Sequence, residues 1–340
     1  MELKRWVDER TGAFEWDHAA KHHADIEGKR QHEHHPLRKK EPTKSPDSTQ
    51  SSQGKSFENY IKTSRASVER NNSSVTQDCT MDSCNYKIYH EDGFDARQHL
   101  EDYFSDKPKM SFKEDFIIFP IENLGKTFTE GHIQGNILID LSASSTIHHL
   151  YAACEFFKHI IVLKANDRCI MELKRWVDER TGAFEWDHCA KHHADIEGKS
   201  DQFEDKGEKV RTALRHVVKC DFEKENIVEP IDLPPADCII IGSLLEFLSK
   251  NQDAFKNYLR KVTKLLKPGG HLIILGVLDA TYVIIGKDKF NVLNYDEDFA
   301  RKALIEEGFV IDTCKVKKRT AVSDLTDYKG MLFITAHKEK

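Results

Sequence analysis

The chain has 340 residues, of which 39% are apolar and 32% charged, with a formal net charge of −6. That length holds one large α/β domain with an appendage, or two average domains. The negative balance removes any general attraction to nucleic acid or anionic membrane, and no apolar run reaches the ~18 residues of a membrane span. The charged start, Met1 to Trp6, lacks the apolar stretch of a secretory signal, so the expected location is cytoplasmic. Eight cysteines without CxxC spacing read as reduced thiols rather than as a zinc or disulfide framework.

Residues 1–29 repeat residues 171–199 with one change, Ala19 against Cys189. Structural repeats that pack on one another diverge and recur several times, so a single near-identical copy reads as a duplicated fragment. Residues 30–82 are rich in Ser, Thr, Asn, Gln, Lys and His, with Pro36, Pro42 and Pro46. Such a stretch buries too little apolar surface to offset its ordering entropy and reads as a disordered linker.

From residue 83 to 340 the composition is globular. Phe94 to Phe104 has the spacing of an amphipathic helix, and the aromatic-rich Phe112 to Phe128 reads as a second. Predicted strands at 136–141, 160–163, 217–220, 236–241 and 271–275 alternate with helical patterns near 146–157, 169–180, 206–215 and 253–266. This alternation implies a parallel sheet with helices on both faces. Two late strands, 310–317 and 329–336, have no long helix between them and suit an antiparallel hairpin at the sheet edge.

Within this pattern, Ile137 to Thr146 reads as strand, tight turn and helix start, the arrangement that places a ligand over a strand's carboxyl end. Such turns use glycine because a missing Cβ lets the backbone approach the ligand. Here Ser142, Ala143, Ser144 and Ser145 stand instead. Asp140 and Thr146 serve equally well as turn and cap residues. Pro268-Gly269-Gly270 marks a turn before a strand. His188 and His192 have the i, i+4 spacing of two metal ligands on one helix face, but no third ligand is fixed nearby, and solvated surface is the reading taken.

Several strings carry a family resemblance: Leu233-Pro-Pro-Ala-Asp-Cys238, Leu266-Lys-Pro-Gly-Gly-His-Leu272, Val218-Lys-Cys-Asp221, Arg175-Trp176 and Gly182-Ala-Phe-Glu-Trp186. Together the chain resembles the nicotinamide, phenylethanolamine and indolethylamine N-methyltransferases over roughly residues 85–340. The resemblance implies a Rossmann-like, seven-stranded methyltransferase sheet with a terminal antiparallel strand, S-adenosylmethionine as cofactor and a small amine as substrate. A monomer is expected, and the net charge leaves no nucleic-acid or membrane partner expected. Residues Tyr103, Asp140, Ser142, Thr146, Asp221 and Phe222 fall at cofactor-binding positions of the resembled enzymes, and Glu246 and Asp279 at positions that orient an amine. Gly276 falls where nicotinamide-type enzymes have an aspartate.

The same resemblance exposes a conflict at Lys164. That position ends the second strand, where the family places an acid that accepts hydrogen bonds from both ribose hydroxyls. A lysine has three donors and no acceptor. Losing two charge-assisted bonds of about 1.5–3 kcal/mol each weakens binding on the order of 10²–10⁴-fold. Two further matching positions, His99 and Phe104, stand where relatives have tyrosines. Three readings follow: a family member with a degraded cofactor site, an active amine N-methyltransferase, and a non-catalytic binding or scaffold protein. Titration with S-adenosylmethionine separates the first two.

Overall fold

The computed structural model describes residues 86–340, apart from 91, 92, 108–110, 132 and 340. The duplicated fragment 1–29 and the linker 30–82 lie outside the described residues, as do Cys79 and Cys84. Helix α1 (Ala96–Tyr103) opens on Asp95, whose carboxylate accepts from Gln98 N at 2.9 Å, satisfying one of the donors a helix start leaves unpaired. A π-helical turn (Lys113–Ile118) runs directly into α2 (Phe119–Glu130).

The sheet then forms from β1 (Gly135–Ser142), the short α3 (Leu150–Ala153), β2 (Phe157–Lys164), α4 (Asp167–Val177), α5 (Asp187–Ile196), α6 (Glu204–Ala213) and β3 (Leu214–Lys219). It continues through β4 (Ala236–Gly242), α7 (Leu244–Leu248), α8 (Gln252–Thr263) and β5 (Leu266–Leu278). A hairpin of β6 (Tyr282–Ile285) and β7 (Asp288–Asn291), α9 (Glu297–Glu306), β8 (Phe309–Lys318) and β9 (Gly330–Lys338) close the chain.

Seven strands make one sheet in the order β3-β2-β1-β4-β5-β9-β8. The first five are parallel, and β9 runs antiparallel to both β5 and β8, as the resemblance implies. Leu138, Ile139, Ile160, Ile161, Cys238, Ile239, Ile240, Leu272 and Ile273 are all fully buried. A parallel sheet covered on both faces demands such runs of apolar residues, which is why the central strands read clearly from sequence. The order places β1 beside β4, with crossovers leaving to opposite sides. The crevice at the carboxyl ends of these two strands is where open α/β sheets bind ligands.

Two expectations need correction. The helix expected over 146–157 is α-helical only from Leu150 to Ala153, because Phe157 already begins β2 and pairs with Gly135. Pro268-Gly269-Gly270 is no separate turn. It is an irregularity inside β5, where Leu266 pairs with Ala236 and His271 with Cys238. The β6–β7 hairpin and α9 were not expected.

Candidate functional site

Among the described residues, three of the four non-glycine residues with positive φ follow central strands: Ser144 (φ 58°) after β1, Ser243 (φ 51°) after β4 and Asp279 (φ 53°) after β5. Left-handed backbone costs an L-residue roughly 1–2 kcal/mol, and such strain clusters where a fold holds ligands. Each of these three bends thus puts a side chain where the backbone shape favours glycine. At β1 the turn is tied to β4, Ala143 N donating to Gly242 O at 2.7 Å. Gly242 leaves room for Ser142, since a Cβ on it would lie 2.5 Å from the Ser142 Oγ.

Asp140 lies two residues before the end of β1, within its buried part, and is fully enclosed. Its Oδ1 accepts from Ser142 Oγ at 2.6 Å and lies 2.7 Å from His149 Nε2. Its Oδ2 lies 3.5 Å from Lys164 Nζ, an ion-pair contact rather than a strong hydrogen bond. The lysine's short bond, 2.7 Å, goes to the carbonyl of Ser142. Burial alone would raise the Asp140 carboxyl, but His149 and Lys164 beside it, with the bonds from His149 and Ser142, hold it well below the usual carboxylate range. Lys164 is itself 1% exposed. A basic residue at the end of β2 is therefore neutralised by the acid at the end of β1, and its ammonium lies against the turn.

Tyr89 closes the same turn from above. Its hydroxyl accepts from Ser144 N at 2.9 Å and lies 3.4 Å from Cys169 Sγ, while its carbonyl accepts from the Asn166 side chain at 3.1 Å. Its ring packs edge-on against Phe94 and Phe247, at 4.6 and 5.5 Å between centroids. Burial, and then Cys169, raises the phenol well above its ordinary value, so it stays protonated. Ser145 Oγ donates to Cys169 O and Thr146 Oγ1 to Ala143 O. Nearly every polar group of the turn thus has a partner inside the chain. Ser144 Oγ is an exception, buried without one.

Beside the turn lies a cavity of about 80 Å³, whose lining includes Tyr103, Ser142, Thr146, His148 and Phe247. Sites for drug-sized ligands run to roughly 300–1,000 Å³, so the closed chain leaves space for only a small molecule. The Tyr103 hydroxyl faces away toward β6, lying 2.8 Å from the carbonyls of both Ile284 and Leu325. Beyond β3, Asp221 is exposed and accepts from Glu223 N at 3.0 Å. Phe222 is buried against Tyr258, and its carbonyl accepts from Lys261 Nζ at 2.7 Å.

Glu246, in α7, is buried and accepts from Val277 N at 3.2 Å. Burial pushes its carboxyl up to about 7, against the hydrogen bonds it receives. It does not line the cavity. Asp279 is exposed, and its backbone N donates to Tyr295 O. The structure therefore gathers Asp140, Ser142, Thr146 and the ring of Tyr103 about one crevice. It leaves Asp221 and Phe222 on the adjoining rim, Glu246 behind the cavity wall and Asp279 in solvent.

A profile of the NNMT/PNMT/TEMT family matches residues 83–339. The chain belongs to this family. It is 32% identical to indolethylamine N-methyltransferase of Oryctolagus cuniculus over 72% of this chain and 94% of that one. It is 31% identical to human nicotinamide N-methyltransferase over 72% and 93%. With human phenylethanolamine N-methyltransferase it shares 30% over 63% and 78%.

Within the NNMT/PNMT/TEMT framework, Gly276 has a local cause. A Cβ there would lie 2.2 Å from the Tyr295 hydroxyl and 3.3 Å from Glu246 Oε1. Tyr295 thus occupies the space a longer side chain at 276 would need, and its own hydroxyl lacks a hydrogen-bond partner of good geometry. Sequence reasoning missed Tyr89 and His149. The signal for His149 was indirect: a lysine buried at the end of β2 demands an internal acid, and that acid demands further partners. Nothing in the sequence pointed to Tyr89. Among the described residues no three His, Cys, Asp or Glu side chains converge as a metal site. His188 Nε2 lies 2.9 Å from Phe104 O.

Proposed function

We propose that this chain is an amine N-methyltransferase-family protein whose inherited S-adenosylmethionine cleft is filled by its own side chains, so that it binds that cofactor poorly and transfers methyl groups weakly or not at all. The carrying observation is the pair of contacts at Lys164: Nζ 2.7 Å from Ser142 O and 3.5 Å from Asp140 Oδ2, all buried. A cofactor with a ribose diol needs an acceptor at the end of β2, and a lysine offers none. It also needs bare backbone at the turn, and Ser144 N is already taken by Tyr89. The residues present do not fit the group.

The substrate side supports the same reading. An ammonium substrate is oriented by an ionised carboxylate within reach. Glu246 is pushed toward neutrality behind the cavity wall, and Asp279 faces solvent. Among the described residues no helix is long and apolar enough to cross a membrane, and we place the protein in the cytoplasm as a monomer. One observation favours the alternative of an active enzyme: Asp221 remains exposed at the rim, where the family caps the adenine amine.

Isothermal titration of the full chain with S-adenosylmethionine decides between them. The expected result is millimolar binding or none. A variant carrying Ser142→Gly, Ser144→Gly, Lys164→Asp and Tyr89→Ala should bind at least 10²-fold more tightly. Micromolar binding by the unaltered chain overturns the proposal, as does a folded quadruple variant that gains nothing.

A further inference from the structure

The cavity beside the turn has two features that its inherited role does not explain. First, none of the side chains lining it is Asp, Glu, Lys or Arg. The walls are aromatic, from Tyr103, Phe104, Phe116 and Phe247. Second, two of its lining residues, His99 and His148, are 7% and 5% exposed, and the Nδ1 of each has no partner in the protein. Buried polar atoms are normally satisfied, and one left bare is costly. Both residues line the same small cavity, and a hydrogen-bonding guest there meets that need.

Both rings are held rather than loose. His148 stacks on Trp186 at 5.9 Å and 19°, with Phe104 5.2 Å away. His99 lies 5.0 Å from the Tyr103 ring and 5.5 Å from Phe104. Burial drives both imidazoles to the neutral form, His99 to about 3 and His148 well below its ordinary value. A neutral imidazole presents Nδ1 as either donor or acceptor according to its tautomer. A guest carrying both a donor and an acceptor meets either case. A cationic guest would leave water for a cavity without an anion, which is strongly unfavourable.

We propose that this cavity binds a small uncharged aromatic ring carrying an N–H or O–H group, of the azole or phenol class, held between aromatic walls with its polar edge on His99 and His148. The cavity of about 80 Å³ sets the size. An engineered cavity of about 150 Å³ holds benzene, so a five-membered azole suits it best. The inference names the ligand of the site whose loss of cofactor binding is proposed above, and it rests on that reading only for the lack of an amine anchor.

The test is isothermal titration and thermal denaturation of the full chain at pH 7.5 with pyrazole, phenol and benzylamine, the last as the cationic control. Pyrazole is expected to bind saturably and raise the melting temperature, phenol to bind more weakly, and benzylamine to do neither. In His148→Phe and, separately, His99→Leu, pyrazole affinity should fall at least tenfold while circular dichroism stays native. Binding of benzylamine as tight as that of pyrazole overturns the proposal. So does an absence of ring binding in the unaltered chain, or undiminished pyrazole affinity in both folded variants. If pyrazole binds as expected and S-adenosylmethionine also binds at micromolar concentration, the degraded-cleft reading falls and this one stands. If neither binds, this one falls alone.

Discussion

At the carboxyl ends of β1 and β2, Asp140 is sealed from solvent between His149, Ser142 and Lys164. Two strands from β1, just past β3, Asp221 is exposed and answers only the backbone of its own turn. Both carboxylates sit along one ligand-binding edge of the same sheet. In the buried one, every lone pair that water would serve must be served by the chain, because an unpaired charge in low dielectric costs far more than the pair it has lost. In the exposed one, water does that work. The difference shows what burial demands: the cation at position 164 must be matched inside the chain, by Asp140 and the Ser142 carbonyl, whereas the open rim leaves that work to water.

The contrast is broken most sharply by removing each acid in turn. Asp140→Ala leaves Lys164 buried with only the Ser142 carbonyl, and stability should fall by about 3–5 kcal/mol. Asp221→Ala should cost about 0.5 kcal/mol or less, as for exposed residues outside the core. Urea denaturation at pH 7 measures both. Equal losses would mean that the Asp140 cage is not the buried charge network described here.

Tyr89→Phe sharpens the same comparison from the other side of the turn. It removes the acceptor for Ser144 N while keeping the ring between Phe94 and Phe247. Leaving that amide buried and unpaired should cost about 1–3 kcal/mol. A loss near zero would show that water reaches the turn, as it reaches Asp221.

Much of the fold was legible and little of this cage was. Ile137 to Ile139, Ile160 to Leu163 and Cys238 to Ile241 are continuous apolar runs, because a strand buried on both faces has no polar side to alternate with. The β6–β7 hairpin escaped because its two strands are four residues each, although Gly286 (φ 59°) marks its turn. At the site, the turn's position and the anomaly at Lys164 could be read in sequence. What Lys164 touches could not, since its acid lies 24 residues away and Tyr89 reaches Ser144 across 55. Burial, not spacing, decides those partners. The same limit applies to Glu246, whose position suits an amine anchor but whose carboxyl is turned to the Val277 amide.

Proton linkage tests whether the crevice is as dry as the cage implies. His99 titrates at about 3 in the folded chain and near 6.5 when free. Between those values the unfolded state holds the extra proton. Its contribution is therefore complete above about pH 6.5 and is lost on acidification by about 1.4 kcal/mol per pH unit. Glu246 opposes it. Its carboxyl at about 7 against 4.5 keeps a proton only when folded, so its contribution is complete below pH 4.5 and lost as pH rises through 7. Stability measured by urea titration from pH 7 to 5 should thus fall more steeply in Glu246→Gln and less steeply in His99→Leu. Parallel profiles for the two variants and the parent would place both groups in water.

The smallest effect concerns the backbone beneath the cage. Ser144 holds φ at 58° and keeps a buried Oγ without a partner. Ser144→Gly relieves left-handed strain of roughly 1–2 kcal/mol and removes the unsatisfied hydroxyl. Against this stands the greater freedom glycine gains on unfolding, roughly 0.5–1 kcal/mol. The net change should be a stabilisation of about 1 kcal/mol, seen as a higher melting temperature, with the Tyr89 bond to the amide intact. Ser243→Gly, at the matching bend after β4 (φ 51°), is the control. Ser243 is only half-buried, and its side chain hydrogen-bonds the Glu246 carboxyl, so its replacement sets a lost bond against the relieved strain and should stabilise less. If the two substitutions act equally, the buried hydroxyl of Ser144 carries no cost of its own and the Ser243 bond to Glu246 adds no stability.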